Sequence, residues 1–178
     1  MRRTLAAVFT LALTASAAQA ALPVGAAAPD FSAQGALGGK PFKFHLAEAL
    51  KKGPVVLYFF PAAFTSGCTV EAHEFAEAAQ DYSKLGATLI GVTAGNIDRI
   101  SDFSTVECRS KFPVAADPGA KIAGEYKSTI PIKNWSDRTS YVIAPNGKIV
   151  FVYSDFAPDQ HVAKTLNAVK AYRAAHPA

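Results

Sequence analysis

A buried-type strand that runs directly into a helix, with a cysteine at the turn, is the feature that most constrains this chain. The strand is the unbroken apolar run Val55-Val-Leu-Tyr-Phe-Phe60, a pattern typical of a central strand covered on both faces. Residues 61–68 (PAAFTSGC) form the turn, and residues 67–84 carry apolar side chains at helical spacing. Cys68 therefore lies where backbone N–H groups and the positive end of a helix favour a thiolate. Because the chain has only two cysteines, Cys68 is the first candidate for a reacting atom.

The first twenty residues have the composition of a secretory signal peptide. Two arginines after Met1 give a basic start, an apolar run covers residues 5–13, and Ala18-Gln-Ala20 matches an A-x-A cleavage site. The apolar run is too short to span a bilayer. We expect cleavage near Ala20 and an exported protein, periplasmic if the host is a bacterium, with no membrane segment after cleavage. Residues 21–178 then have the size of one domain with a sizeable core.

The basic charge of the chain does not indicate a nucleic-acid partner. The formal net charge of +4 falls by two when Arg2 and Arg3 leave with the signal. The remaining lysines are scattered singly or in pairs, with no basic run interleaved with aromatic residues. Because half of the residues are hydrophobic, the sequence predicts an ordered globule.

The hydrophobic pattern predicts alternating strands and helices in a single α/β domain. A turn signal at 35–39 predicts short strands before the central one, and Asn146-Gly147 between two apolar runs predicts a hairpin. Residues 112–116 are assigned to a short edge strand, because Pro113 cannot donate to a ladder. The remaining predicted elements are strands at 87–93, 139–144 and 148–153 and helices at 97–110, 118–126 and 158–174. This order predicts a mixed sheet with helices on both faces.

The second cysteine, Cys108, leaves two interpretations open at this point. In an exported protein a pair of cysteines often forms a permanent disulfide, and the count alone slightly favours that structural role. The other interpretation is a redox couple whose disulfide opens and closes during turnover.

A spaced set of residues follows the central strand: Pro61, then Thr65, then Cys68, continued by Thr-x-Glu. Residues 28–31 (APDF) and 137–149 (DRTSYVIAPNGKI) add two further motifs. Together these motifs resemble the peroxiredoxins, the thiol-dependent peroxidases on a thioredoxin-like fold. The Gly-Cys-Thr-x-Glu continuation is most similar to the bacterioferritin-comigratory, or peroxiredoxin Q, branch. The resemblance covers nearly all of the mature chain and implies a thioredoxin-like mixed sheet.

The resemblance also implies a role for each site residue. Cys68 would attack one oxygen of a peroxide as a thiolate and become a sulfenic acid. Arg138 would stabilise the charge that develops on the departing oxygen, with the backbone N–H of Cys68 as a further donor. Thr65 would hold the peroxide through its hydroxyl, and Pro61 would shield the thiolate from water. Glu71 would orient Arg138.

Each of these residues has a simpler interpretation from its position in the sequence. Pro61 can simply end the strand, and Thr65 can cap the helix. Arg138 can be a surface charge before a strand. Cys68 can be a buried small hydrophobe or half of a permanent disulfide.

The residues that would recycle the oxidised cysteine depart from the pattern of the peroxiredoxin Q branch. Many members place a resolving cysteine five residues after the first, and here that position is His73. Other members place it in the next long helix before a Phe-Pro step, an arrangement that Cys108 resembles. The resemblance therefore implies an intramolecular Cys68–Cys108 disulfide. Its formation requires Cα atoms about 4.4–6.8 Å apart, and from a larger separation the turn that carries Cys68 must unwind. The alternative is an inert Cys108 in an enzyme that uses one cysteine and an external thiol.

Other functions on a related fold lack the residues they need. A thioredoxin-type oxidoreductase requires Cys-x-x-Cys, and Thr65 stands in place of the first cysteine. The histidines show no metal-ligand spacing, so we expect no metal, and because sulfur supplies the electrons we expect no other cofactor. The expected partners of this monomer are a peroxide and a thioredoxin-like or other dithiol reductant. The alternative class is a non-catalytic binding domain on the same fold, held by a structural disulfide.

Overall fold

The computed structural model describes residues 21–131 and 133–177. The predicted signal peptide lies outside the described residues. Within the described ranges, no helix combines the length and the apolar character that crossing a bilayer requires.

Strands and helices alternate along the described chain. The strands are β1 (Ser32–Leu37), β2 (Lys40–His45), β3 (Val55–Phe59), β4 (Thr88–Thr93), β5 (Val114–Ala116), β6 (Thr129–Ile130), β7 (Trp135–Ser136), β8 (Thr139–Ile143) and β9 (Ile149–Ser154). The helices are α1 (Leu46–Leu50), α2 (Ser66–Lys84), α3 (Ile100–Val106), α4 (Lys121–Glu125) and α5 (His161–Ala175). A turn of 3-10 helix, Ile97–Arg99, precedes α3.

A seven-stranded mixed sheet in the order β2-β1-β5-β4-β3-β8-β9 forms the centre of the fold, and β6 pairs separately with β7. The strand β3 is parallel to β4 and antiparallel to β8, and all of its residues are buried, as its apolar sequence predicts. Its side chains alternate between two cores: Leu57 and Phe59 enter the core under α1 and α4, and Tyr58 enters the core under α2, α3 and α5. Complete burial of one such side chain stabilises the fold by about 1.5–3 kcal/mol. The predicted α/β sheet with helices on both faces is confirmed.

The connection from β3 to α2 is a tight turn that brings the helix back over the sheet. Phe64 has a positive φ of 61°, a left-handed conformation that reverses the chain direction. Thr65 is extended, with φ −87° and ψ 151°, and α2 begins at the next residue. At the other end of α2, Gly86 adopts a φ of 63° and its amide donates to the carbonyl of Ser83 at 2.9 Å. The first bend places the first turn of α2 at the carboxyl end of β3, and the second leads the chain into β4.

The prediction of an edge strand at 112–116 is wrong. The strand β5 lies inside the sheet, antiparallel to β1 and parallel to β4. Pro113 precedes the first paired residue and contributes only its carbonyl, which accepts a hydrogen bond from the amide of Gly91 at 3.2 Å. The sheet therefore loses no hydrogen bond through the missing N–H of Pro113.

The prediction of a helix over 97–110 is wrong at its carboxyl end. The helix α3 ends at Val106, and Cys108 follows it in an irregular segment. Arg109 and Ser110 have φ values of 49° and 56°, a left-handed conformation that a helix cannot continue through. Cys108 therefore lies just after the end of α3, and not inside the long helix that the sequence predicts.

Candidate active site

The turn between β3 and α2 is held by the neighbouring strand. The hydroxyl of Thr93, at the end of β4, donates to the carbonyl of Pro61 at 3.1 Å. The side-chain amide of Asn96 donates to the carbonyl of Ala63 at 2.8 Å. Gly95 approaches so closely that a Cβ there would lie 2.4 Å from the carbonyl oxygen of Pro61. These contacts fix the path of the turn without using its own side chains.

Thr65 precedes the first residue of α2, yet its side chain does not cap the helix. Its hydroxyl donates to the carbonyl of Ala62 at 3.1 Å and makes no capping hydrogen bond. The amides of the first turn of an α-helix have no carbonyl partner within the helix. The amide of Cys68 belongs to this group, so the turn offers unpaired donors beside the cysteine.

Cys68 lies in the first turn of α2, with 1% of its surface exposed. The Nη2 atom of Arg138 lies 3.5 Å from its Sγ. The sulfur therefore faces both a guanidinium and the amino-terminal end of a 19-residue helix, and both carry positive charge. Reactive cysteines lie in electropositive surroundings of this kind.

Arg138 immediately precedes β8 and reaches three acceptors. Besides the sulfur of Cys68, its Nε donates to the carbonyl of Phe156 at 2.9 Å, and its Nη1 forms a close ion pair with Oε2 of Glu71. The residue is only 5% exposed, so it is not a surface charge. Gly67 permits the approach, because a Cβ at that position would lie 3.0 Å from Nη2.

Glu71 is fully buried one turn after Cys68 on α2. Burial raises the pKa of its carboxyl to about 8, although the Arg138 guanidinium acts in the opposite direction. Oε1 lies 3.7 Å from Nδ1 of His161, a second fully buried residue. The hydrogen-bond partner of this Nδ1 is the hydroxyl of Ser140, 2.8 Å away, and Oε1 of Glu71 is left without a hydrogen bond in the described part of the chain.

Cys108 is also completely buried, and both cysteines are free thiols. Burial raises the pKa of the Cys108 thiol well above its ordinary value. The side chains of Cys68 and Cys108 belong to the same core cluster under α2, α3 and α5. The structure does not join them, so the disulfide implied by the sequence stays a prediction.

The structure brings together most of the residues that the sequence selected. Arg138 contacts both Cys68 and Glu71. Thr65 and the half-buried Pro61 lie in the turn that precedes Cys68. Among the described residues, no group of three or more histidines, cysteines or acidic residues could hold a metal ion.

Sequence reasoning missed two contributors to the site. Gly67 belongs to the Gly-Cys-Thr-x-Glu motif, which gives it no role, whereas its missing Cβ makes room for Arg138. The sequence gives His161 no role, whereas its Nδ1 lies 3.7 Å from Oε1 of Glu71 on a helix far away in the chain. The motif around Gly67 was a usable signal. No local pattern around His161 could have revealed its contact.

A cysteine in the first turn of a helix, beside a buried arginine–glutamate pair on a thioredoxin-like sheet, is the arrangement of a thiol-dependent redox enzyme. The model of the AhpC/TSA family matches residues 24–152, which is more than half of the chain. The chain therefore belongs to this family, the peroxiredoxins, and is a thiol-dependent peroxidase. Enzymes of this family use peroxide substrates and, in general, thioredoxin-type reductants.

Individual relatives agree with the branch that the sequence motifs indicate. A Mycobacterium tuberculosis protein whose name assigns it to the peroxiredoxins is 32% identical over 136 residues, covering 72% of this chain and 85% of the relative. The chloroplastic peroxiredoxin Q of Arabidopsis thaliana is 31% identical over 154 residues, covering 83% and 67%. The crystal structure of peroxidoxin BcpB from Mycobacterium tuberculosis, at 30% identity, aligns with a TM-score of 0.74 over 84% of this chain and 97% of that chain. The resemblance to the peroxiredoxin Q branch is confirmed.

Proposed function

We propose that Cys68 is the residue that reduces the peroxide. The observation that carries this proposal is the 3.5 Å contact between Arg138 Nη2 and Cys68 Sγ in a site that is almost closed to solvent. The thiolate attacks one peroxide oxygen, an S–O bond forms as the O–O bond breaks, and the sulfur is oxidised to a sulfenic acid. The departing hydroxide or alkoxide takes up a proton and leaves as water or alcohol.

The other site residues act on the transition state of this step. Arg138 stabilises negative charge as it develops on the departing oxygen, an interaction stronger in the transition state than in the ground state. Glu71 holds the guanidinium in place through Nη1. The Thr65 hydroxyl, which caps no helix, holds the bound peroxide, and Pro61 limits the access of water to the sulfur.

Mass spectrometry after one equivalent of hydrogen peroxide tests this assignment. The wild-type protein should gain a sulfenate or a disulfide and should consume peroxide with a dithiol donor, and Cys68→Ser should do neither. Peroxide consumption by Cys68→Ser at the wild-type rate would show that another group reacts.

We further propose that Cys108 resolves the sulfenate. The Cys108 thiolate attacks the Cys68 sulfur, a disulfide forms, and the sulfenate oxygen leaves as water after protonation. A dithiol reductant then returns both cysteines to thiols. Because Cys108 is fully buried, its segment and the first turn of α2 must both rearrange. In Cys108→Ser, the internal disulfide should be absent and turnover with a dithiol donor should fall; unchanged turnover would rule out the resolving role.

Substrate size, location and assembly are three separate proposals. The 1% exposure of Cys68 favours hydrogen peroxide and small organic hydroperoxides over bulky ones. The composition of residues 1–20 supports export, and we propose that the enzyme is a monomer. Competition kinetics with peroxides of increasing size, fractionation of expressing cells and sedimentation analysis test these three points separately.

A further inference from the structure

Tyr58, in the middle of β3, is a buried tyrosine with no part in the steps above. Only 1% of the residue's surface is exposed, and no group in the described part of the chain makes a hydrogen bond with its hydroxyl. Burial raises the pKa of this hydroxyl well above its ordinary value, so the group keeps its proton and remains a donor. A buried donor without an acceptor destabilises the state that buries it, because water would accept its hydrogen bond in any state that exposes it.

Aromatic packing holds the ring of Tyr58 in place. The ring stacks on Phe75 of α2 with centroids 4.2 Å apart, and on Phe60 with centroids 5.4 Å apart. Its far end lies over Gly91 of β4, where a Cβ would be 2.8 Å from the hydroxyl oxygen. The hydroxyl therefore lies above β4, on the side of β3 that faces β5.

The Cys108 segment, residues 107–113, covers this end of the tyrosine. It follows α3 and leads directly into β5, which pairs with Gly91. Within the segment, Phe112 packs edge-on against the Tyr58 ring with centroids 6.0 Å apart, and Cys108 belongs to the same core cluster. After burial, a negative charge on Cys108 is the largest influence that raises the pKa of the hydroxyl, in agreement with this closeness. Movement of the segment away from the sheet therefore opens the hydroxyl to water.

We propose that the unpaired hydroxyl of Tyr58 favours the opening of the Cys108 segment, and so helps Cys108 to reach the Cys68 sulfenate. The hydroxyl has no partner in the closed state and donates to water in the open state, so the free energy needed for opening falls. In this role Tyr58 is a positioning residue, because it acts through the segment and not on the peroxide. This inference rests on the proposed function, in which Cys108 resolves the sulfenate.

Tyr58→Phe tests the proposal, because it removes the hydroxyl and keeps the ring. In Cys68→Ser protein, where Cys108 is the one remaining thiol, the rate of labelling by a small maleimide reports the opening of the segment. Tyr58→Phe should lower this rate about 5- to 30-fold, since the closed state no longer buries an unpaired donor. An unchanged or higher labelling rate overturns the proposal.

Tyr82→Phe is the matched control. Tyr82 is buried in the same core cluster, but its hydroxyl donates to the carbonyl of Val162 at 3.1 Å and lies 2.8 Å from Oγ of Thr165. Removing this hydroxyl breaks hydrogen bonds and relieves no unpaired donor, so the labelling of Cys108 should not slow. Equal slowing by the two variants also overturns the proposal, because loss of any tyrosine hydroxyl from this core would then have the same effect.

Rapid-quench mass spectrometry of the protein with both cysteines separates the two chemical steps. After one equivalent of hydrogen peroxide, Tyr58→Phe should slow the conversion of sulfenate to disulfide by a similar factor and form the sulfenate at the parent rate. The charges of Glu71 and Cys68 also act on this hydroxyl, so a sulfenate step slowed as much as the disulfide step places Tyr58 in the peroxide site and overturns the proposal. Failure of Cys108 as the resolving residue has a different signature, since labelling would still slow but neither protein would form the disulfide.

Discussion

His73 of α2 contacts Glu107, the residue before Cys108, with His73 Nε2 and Glu107 Oε2 2.6 Å apart. One turn further along α2, Glu77 pairs with Arg109 at 3.2 Å. The two pairs therefore hold the chain on both sides of the buried Cys108. We call these two contacts, His73–Glu107 and Glu77–Arg109, the clasp. Partly exposed pairs of this kind contribute only about 0–1 kcal/mol each to stability, so the clasp is weak enough to open during turnover.

Breaking the outer pair should expose Cys108. In Cys68→Ser protein, Cys108 is the only thiol, and its rate of labelling by a small maleimide reports the opening of its segment. We predict that Glu77→Lys raises this rate about 2- to 5-fold, because it replaces an attraction to Arg109 by a repulsion. Adding Arg109→Glu restores the opposite charges and should return the rate toward the parent value.

An ion pair within α2 itself supplies the control. Asp81 and Lys84 are 3.3 Å apart on the exposed surface of α2 and do not touch the Cys108 segment. Asp81→Lys should leave the labelling rate unchanged. If Glu77→Lys has no more effect than this control, the clasp does not hold Cys108, whether or not Cys108 resolves the sulfenate.

Gly67→Ala should separate stability from catalysis. A Cβ at this position lies 3.0 Å from Nη2 of Arg138, so the guanidinium must move away from Cys68. We predict that the rate of sulfenate formation falls about tenfold, because small displacements of a catalytic group are costly. Stability should be equal or higher, since alanine favours a helix by about 0.8–1 kcal/mol over glycine. Stopped-flow kinetics and urea unfolding measure the two effects.

Gly124→Ala is the matched change at a neutral site. Gly124 lies in α4, and a Cβ there meets nothing within 4 Å. This variant should gain stability and keep the parent rate. A Gly67→Ala enzyme that also keeps the parent rate would show that the position of Arg138 tolerates displacement.

The parts of the fold that follow from local pattern were predicted from the sequence, and the parts that depend on neighbours were not. The apolar run of β3 and the helical spacing of α2 are properties of contiguous residues, so both elements were found. Which strands flank β5 depends on long-range pairing, and Pro113 suggested an edge where its carbonyl serves the interior. The same distinction holds in the site. Motif spacing found Cys68 and Arg138, whereas the contact of Glu71 with His161 arises only when α5 packs against α2.

Arg138→Lys should impair the peroxide step although it keeps the charge. The guanidinium donates to Cys68, Glu71 and a backbone carbonyl in three fixed directions, and a lysine ammonium cannot reproduce that geometry. Loss of one preorganised donor in a buried site costs about 10²–10³-fold in rate. Sulfenate formation at substoichiometric peroxide measures the step directly.

Arg99→Lys is the comparison for this change. The Arg99 guanidinium stacks on the ring of Phe64 in the turn, with its carbon 3.8 Å from the ring centroid, and does not contact the sulfur. Its replacement should lower the rate far less. Equal losses in the two variants would show that the contact of Arg138 with Cys68 has no special part in the peroxide step.

The stability of the protein should depend on pH through His161. Burial lowers the pKa of His161 to about 4, below its value of 6.5 in the unfolded chain. Above pH 6.5 this histidine is neutral in both the folded and the unfolded protein. As the pH falls toward 4, the unfolded chain binds a proton at this histidine and the folded protein does not, which lowers the free energy of unfolding. The stability contributed by this neutral state is therefore present above about pH 6.5 and is lost as the pH falls, by up to about 3 kcal/mol.

Glu71 changes the pH dependence of stability in the opposite direction to His161. Variants of each residue are therefore needed to separate the two contributions to the free energy of unfolding. Its raised pKa of about 8 makes the folded protein bind a proton before the unfolded chain does, and the stability from this proton is lost as the pH rises from about 4.5 to 8. Urea unfolding of the wild type and of His161→Asn from pH 7 to 4.5 should give a stability difference that shifts toward the variant as the pH falls. The same comparison with Glu71→Gln should shift toward the wild type. A difference for His161→Asn that is constant over this range would show that the histidine is not buried in its neutral form.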